Sequence, residues 1–205
     1  VKPFDINNLI HRMEALLRLS TDRAGEDPVA NMPAAGAAKR EVQRRVSRRE
    51  NFALAYLELL SIREFAHHYG EEARSKAIRH MGRALQKAGE KLPEGTFFAG
   101  HMGGGHFVAV LPTDKAAPYC ELVRQVWLQH LRPLYESIGR AQAYAAASRG
   151  ESSVPLLDVL VCLTIRDPKE VAAPHELFEI LSQLRTKAAV TRKGGIHIDR
   201  RAKNG

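Results

Sequence analysis

"GHMGGGHFVAVLP", residues 100–112, is the stretch from which this chain is best read. Three consecutive glycines, Gly103 to Gly105, stand between two short apolar segments, Phe97-Phe98-Ala99 and Phe107 to Leu111. Glycine takes positive φ without a Cβ penalty, so the pattern predicts a β-hairpin closed by a glycine turn. A backbone without side chains also admits a ligand at close range, and successive turn amides form a nest for an anion. Gly103, Gly104, Gly105 and His106 are therefore either a phosphate cradle or only a tight turn.

The flanking sequence places this hairpin inside an α/β fold. Residues 51–60, "NFALAYLELL", are a nearly unbroken apolar run, as expected of a central strand buried on both faces. Residues 156–165, "LLDVLVCLTI", predict a second such strand. Between them, Ile62, Phe65, Ala66, Tyr69 and Ala73, then Ile78, Met81 and Leu85, recur at helical spacing and predict a long helical region over roughly 61–89. Another helix starts at about 115, with Leu122, Val126 and Leu131 on its buried side, and "IGRAQAYAAASR" extends or repeats it beyond Pro133. Pro174 opens a further helix carrying Leu177, Ile180, Leu181 and Leu184, and "KGGIHID" predicts a closing turn and edge strand. Upstream, a basic helix is expected from about Ala37 to Arg49. Before it, Asp5 caps an amphipathic helix over 5–19 built on Leu9, Ile10, Met13, Leu16 and Leu17. The order α-β-α-β-β-α-β-α-β predicts an α/β architecture, a mixed central sheet flanked by helices with the hairpin at its centre.

Four segments in this order resemble the GGDEF family of diguanylate cyclases, from about Asp27 to the C-terminus. "DPVANMP", 27–33, is similar to the family's opening Asp-x-Leu-Thr-Gly-Leu-Pro turn. "LELLSIREFAHHYGEEARS", 57–75, falls where the family has Asp-x-Asp-x-Phe-Lys-x-Ile-Asn-Asp-x-x-Gly-His-x-x-Gly-Asp. "GGGHF", 103–107, falls on the signature Gly-Gly-Asp/Glu-Glu-Phe, and "RKGGIHI" resembles the closing Lys-x-x-Gly-x-Asn-x-Val. The start of the chain carries a second resemblance. Lys2-Pro3 before a capped helix is similar to the end of a response-regulator receiver domain, whose phosphoacceptor aspartate would lie upstream. The absence of an initiator Met fits an excised fragment. The implied domains are a receiver's last helix over 1–20, a linker and wide turn over 21–36, and a degenerate GGDEF domain over 37–205.

In the family, two GTP molecules sit in facing half-sites of a dimer, and each 3′-hydroxyl attacks the other's α-phosphate. Mg²⁺ neutralises phosphate charge and helps activate the hydroxyl. Such a hard cation wants carboxylate oxygens. At the matching positions this chain has Glu58, Leu60 and Gly105, so Glu58 is the one surviving carboxylate candidate, and His106 stands for the signature glutamate. A neutral imidazole suits Zn²⁺ or Cu²⁺ better than Mg²⁺. Ala66 and Ser75 stand where the family reads guanine, and a site that loses those hydrogen bonds loses discrimination. Glu94 and Phe97 stand at the Arg and Asp of the family's inhibitory Arg-x-x-Asp product site. The resemblance thus implies a non-catalytic member that neither makes cyclic di-GMP nor binds it there. It needs no cofactor, with Mg²⁺ relevant only if GTP still binds. If the hairpin packs as in the family, His101, His106 and Glu58 come near one another. No zinc spacing joins them, and hydrogen-bonded histidines are the plainer expectation.

Composition narrows the remaining classes. The 205 residues suffice for one sizeable domain and an appendage, and no apolar run approaches a bilayer span. The net charge of +8 is concentrated in "KREVQRRVSRRE", 39–50, and after Lys187. No aromatic residues interleave with these charges, so a solvated helix face is favoured over a nucleic-acid surface. Cys120 and Cys162 lack metal-ligand spacing and read as reduced thiols in the cytoplasm. No Gly-x-Ser-x-Gly elbow surrounds Ser61 or Ser75, and no internal repeat is visible. The expected role is an output domain of a bacterial response regulator. Its expected partners are other signalling proteins, a second copy of the chain, or GTP held without turnover, with a residual diguanylate cyclase as the remaining alternative. Residues 132–153 are longer and more helical than the resemblance implies and are a candidate specific surface.

Overall fold

A computed structural model of the chain describes residues 25–165, 173–188, 190 and 193–199. The Lys2-Pro3 match, the 5–19 helix and the receiver segment 1–20 lie outside the described residues.

The apolar run forms β3 (Ala53–Leu60), and seven of its eight residues are buried. It follows the short β1 (Glu26–Asp27) and β2 (Met32–Pro33) and the helix α1 (Ala35–Ser47). After it come α2 (Ile62–Tyr69), α3 (Glu71–Gly89), β4 (Phe98–Gly103), β5 (His106–Leu111), α4 (Ala116–Ser137) and α5 (Ala141–Ser148). The chain then continues through β6 (Asp158–Ile165), α6 (Pro174–Ala188) and β7 (Gly195–Asp199). The five-stranded sheet runs β4-β5-β3-β6-β7, with β6 and β7 parallel and every other pair antiparallel. β3 is its middle strand and β7 one edge, as the apolar patterns predict.

Alternation along β3 sends its side chains to two cores. Ala53, Ala55, Leu57 and Leu59 join Ile78, Met81 and Leu85 of α3 and Val123, Trp127 and Leu131 of α4. Leu54 and Tyr56 join Val42 of α1 and Leu177 and Leu181 of α6. Both faces are therefore covered, which is why the run is apolar throughout instead of alternating. Trp127, fully buried, donates its indole N–H to the Leu157 carbonyl at 3.2 Å, so its one polar atom is satisfied.

Three expectations change. The helical region over 61–89 is two helices, because Gly70, at φ +91°, breaks it between Tyr69 and Glu71. The stretch read as linker over 21–36 includes, from residue 25, a hairpin belonging to the domain. Asp27 Oδ1 accepts the Val29 and Ala30 amides at 2.8 and 3.0 Å, Met32 is buried, and α1 begins at Ala35 instead of Ala37. The basic run is less solvated than expected. Arg45 is buried, binds Glu41 and Glu50, and donates to the Gly95 carbonyl at 3.1 Å, while Arg44 pairs with the same two carboxylates. Lys39, Arg40, Arg48 and Arg49 stay exposed, as expected of a solvated helix face.

Hydrogen bonds from Arg44, outweighing the upward push of burial and joined by Arg45, hold the Glu41 carboxyl down at about 2. A depressed carboxyl stabilises the fold above its unfolded pKa of about 4.3 and loses that contribution as pH falls through the folded value. The stability gap between wild type and Glu41→Gln, read by urea denaturation, should therefore be full above about pH 5 and close toward pH 2.

Candidate functional site

The glycine hairpin forms as the sequence predicts, with Gly103 as the last residue of β4 and Gly104-Gly105 as its turn. Gly103 and Gly104 sit at φ +92° and +62°, which accounts for glycine at both. Gly105 is required for a different reason. The Leu59 amide donates to its carbonyl at 2.8 Å, and a Cβ there would stand 2.9 Å from Ile62 Cγ2. The turn is thus pressed onto the junction between β3 and α2, where Ser61 takes a left-handed φ of +62°.

Buried His101 braces the same turn from beneath. Its Nε2 donates to the Gly104 carbonyl at 3.0 Å, and its Nδ1 lies 3.1 Å from Asp27 Oδ2 without hydrogen-bond alignment. Burial pushes the Asp27 carboxyl up, but the Ala30 amide, the His101 charge and the Val29 amide outweigh it and hold it below its ordinary value. The opening turn and the glycine hairpin are therefore locked together.

Glu58 and His106 face one another across the β3–β5 register. Each already has a partner. Arg185 of α6 forks onto Glu58, Nε to Oε2 and Nη2 to Oε1, both at 2.8 Å. This is a bidentate, largely buried ion pair, the strong form of such a contact, and it holds Arg185 firmly protonated. Tyr56 Oη and His106 Nδ1 share a hydrogen bond of 2.7 Å. Burial lowers the His106 pKa and raises that of Tyr56 well above its ordinary value, so the bond joins a neutral imidazole and a neutral phenol. Cys162, on the same sheet face, is pushed up to about 12 by burial and by the Glu58 charge, as Cys120 is by burial elsewhere. Neither thiol is a nucleophile at neutral pH.

The residues do not fit a Mg²⁺ ion. Both Glu58 oxygens are engaged by a guanidinium, Leu60 offers no oxygen, and the space a side chain would need at Gly105 is filled by Ile62. A transition-metal site fares no better. His101, His106 and Glu58 are each partnered, and no group of three metal-binding side chains occurs among the described residues. Ala66 and Ser75 are partly buried on α2 and α3; Ala66 offers no hydrogen-bonding side-chain group and Ser75 a single hydroxyl. At the product-site positions Glu94 is exposed, and Phe97 packs its ring on Tyr119, with centroids 5.4 Å apart. Arg185, Tyr56 and Asp27 were missed from sequence. A signal existed for Arg185, since it continues the buried stripe Leu177, Leu181 at four-residue spacing.

Gly105→Ala should cost about 1–3 kcal/mol in urea denaturation, the range for overpacking a tight site. In NMR titrations His106 should titrate below its ordinary value.

No protein-family model matches the chain, and no curated protein matches it in sequence. Solved structures do match in fold. The GGDEF domain of DgcB from Caulobacter crescentus, in complex with c-di-GMP, superposes with a TM-score of 0.63 at 16% identity, over 85% of this chain and 93% of that one. Diguanylate cyclase SiaD from Pseudomonas aeruginosa, in complex with its activator SiaC, gives 0.60 at 17% identity, over 94% of this chain and 69% of that one. The FimX GGDEF domain from Pseudomonas aeruginosa gives 0.59 at 10% identity, over 85% and 98%. The chain therefore has the fold of GGDEF domains, reached with little sequence in common.

Proposed function

We propose that this chain is a non-catalytic output domain of a bacterial signalling protein, a GGDEF fold that works by binding other proteins. The observation that carries the reading is the Glu58–Arg185 pair. The one carboxylate left at the metal positions already neutralises an internal cation. Gly105, packed on Leu59 and Ile62, and the apolar Leu60 support the same reading. SiaD, one of the proteins that share this fold, is held by a protein activator, which lends support to a protein partner here. The Lys2-Pro3 segment and the amphipathic pattern over residues 5–19 point to a response regulator. In that arrangement phosphorylation upstream biases how receiver and output domain pack, a population shift between two arrangements. The family and the absence of a membrane-crossing helix among the described residues both fit work in the cytoplasm.

A second reading, GTP held without turnover, is favoured by one observation. A Cβ at Gly104 would stand 4.0 Å from Arg74 Nη2, which sets a guanidinium beside the turn amides.

Calorimetric titration of the chain with GTP, with and without Mg²⁺, separates the readings, alongside a turnover assay for cyclic di-GMP. The expected result is no heat at ~100 μM protein, a level at which Kd values near 1 mM (about −4 kcal/mol) begin to register, and no product. Mg²⁺-dependent binding without product would replace the interaction reading with the sensor. Cyclic di-GMP formed by the pure protein would overturn both.

A further inference from the structure

The insert left unassigned by the function, residues 132–153, builds a pocket of its own. α4 runs through Pro133 to Ser137, Gly139 at φ +69° turns the chain, and α5 lies back beside α2. Tyr69 of α2 packs edge-on against Tyr135 of α4, and Tyr135 packs on Tyr144 of α5, so an aromatic ladder fixes the three helices. Between them opens a cleft of about 460 Å³, within the range of small-molecule sites. It sits at the far end of α2 from the glycine turn, roughly 12 Å away along an eight-residue helix.

The lining is polar and its charge is unbalanced. Arg140 enters it with no carboxylate partner among the described residues. Its charge reaches Tyr69, where it opposes the upward push of burial on the phenol. Glu151, the one acidic group in the lining, is neutralised by Arg149 through two hydrogen bonds of 2.8 and 2.7 Å. His68 offers an imidazole. Ser152 accepts the Val154 amide at 3.1 Å and keeps its own O–H to donate, and Ser153 adds a second hydroxyl. Arg140, the N-cap of α5, makes no side-chain hydrogen bond to the first turn, so its guanidinium is not spent on capping. Ala143 and Ala146 line the wall with methyl groups only and leave room for a ligand.

We infer that this cleft binds a small molecule bearing a phosphate group, held by Arg140 and the Ser152 and Ser153 hydroxyls, with its body against His68 and Tyr69. Guanidinium and hydroxyls donate to an oxyanion, and the lining's one carboxylate, Glu151, is already taken by Arg149. The site shares no residue with Glu58, His106 or the glycine turn, so it stands whether or not GTP binds there.

The test uses the full chain, ¹⁵N-labelled and without divalent metal, titrated with phenyl phosphate and with inorganic phosphate. The expected result is saturable amide shifts confined to residues 68–69, 140–143 and 151–154, with phenyl phosphate the tighter ligand. Arg140→Gln should weaken it at least about tenfold, as loss of a charge-assisted hydrogen bond does, and Arg48→Gln should leave it unchanged. Arg140 and Arg48 are both exposed, so neither variant threatens the fold. Shifts spread over the basic surface, equal loss in both variants, or no saturation by about 10 mM ligand would overturn the proposal.

Discussion

A central strand covered on both faces has no water in which to leave a charge, and β3 carries one. Glu58 is 9% exposed, so its carboxylate must be paired or it costs the fold several kcal/mol. Arg185 meets that demand from α6, more than a hundred residues away in sequence. The pair does more than neutralise. A bidentate fork fixes both distance and angle, so it sets how α6 lies across the sheet beside the Leu177 and Leu181 contacts. The same fork takes the oxygens a metal would need, and one interaction thereby decides both the packing of one layer and the chemistry of the sheet's end.

The glycine turn is constrained in a comparable way. It is held by its own positive φ angles, by the Leu59 amide, by Ile62 against Gly105 and by His101 beneath Gly104. His101 in turn leans on Asp27, which also organises the opening hairpin through the Val29 and Ala30 amides. The Asp27–His101 contact therefore joins two turns 74 residues apart. A loop this fully braced is a rigid surface. Rigidity lowers the entropic cost of docking to another body, as the proposed interaction role requires.

Chemical potential in this molecule sits away from the braced turn. There, imidazole, phenol, carboxylate and guanidinium are satisfied by one another. In the cleft between α2 and α5, a guanidinium, an imidazole and hydroxyls line an open space. The two regions are linked by α2, whose first residue touches the turn and whose last two line the cleft.

Much of the architecture was legible in the chain itself. Apolar runs at 53–60 and 158–165, glycines at 103–105 and helical stripes over 62–88 are local signals, and local signals suffice for elements and their type. They also suffice to show that Leu60, Ala66 and Gly105 carry no carboxylate or amide, since that is a property of single positions. Other features were decided only in three dimensions. The Gly70 break depends on a backbone angle that the residue permits and does not compel. The burial of Arg45, the partnering of Glu58 by Arg185 and of His106 by Tyr56, and the convergence of His68, Arg140 and Ser153 all join residues distant in sequence. No spacing rule encodes them, because a charge in a low-dielectric interior is satisfied by whatever the folded layers bring within about 3 Å, and only packing determines what that is.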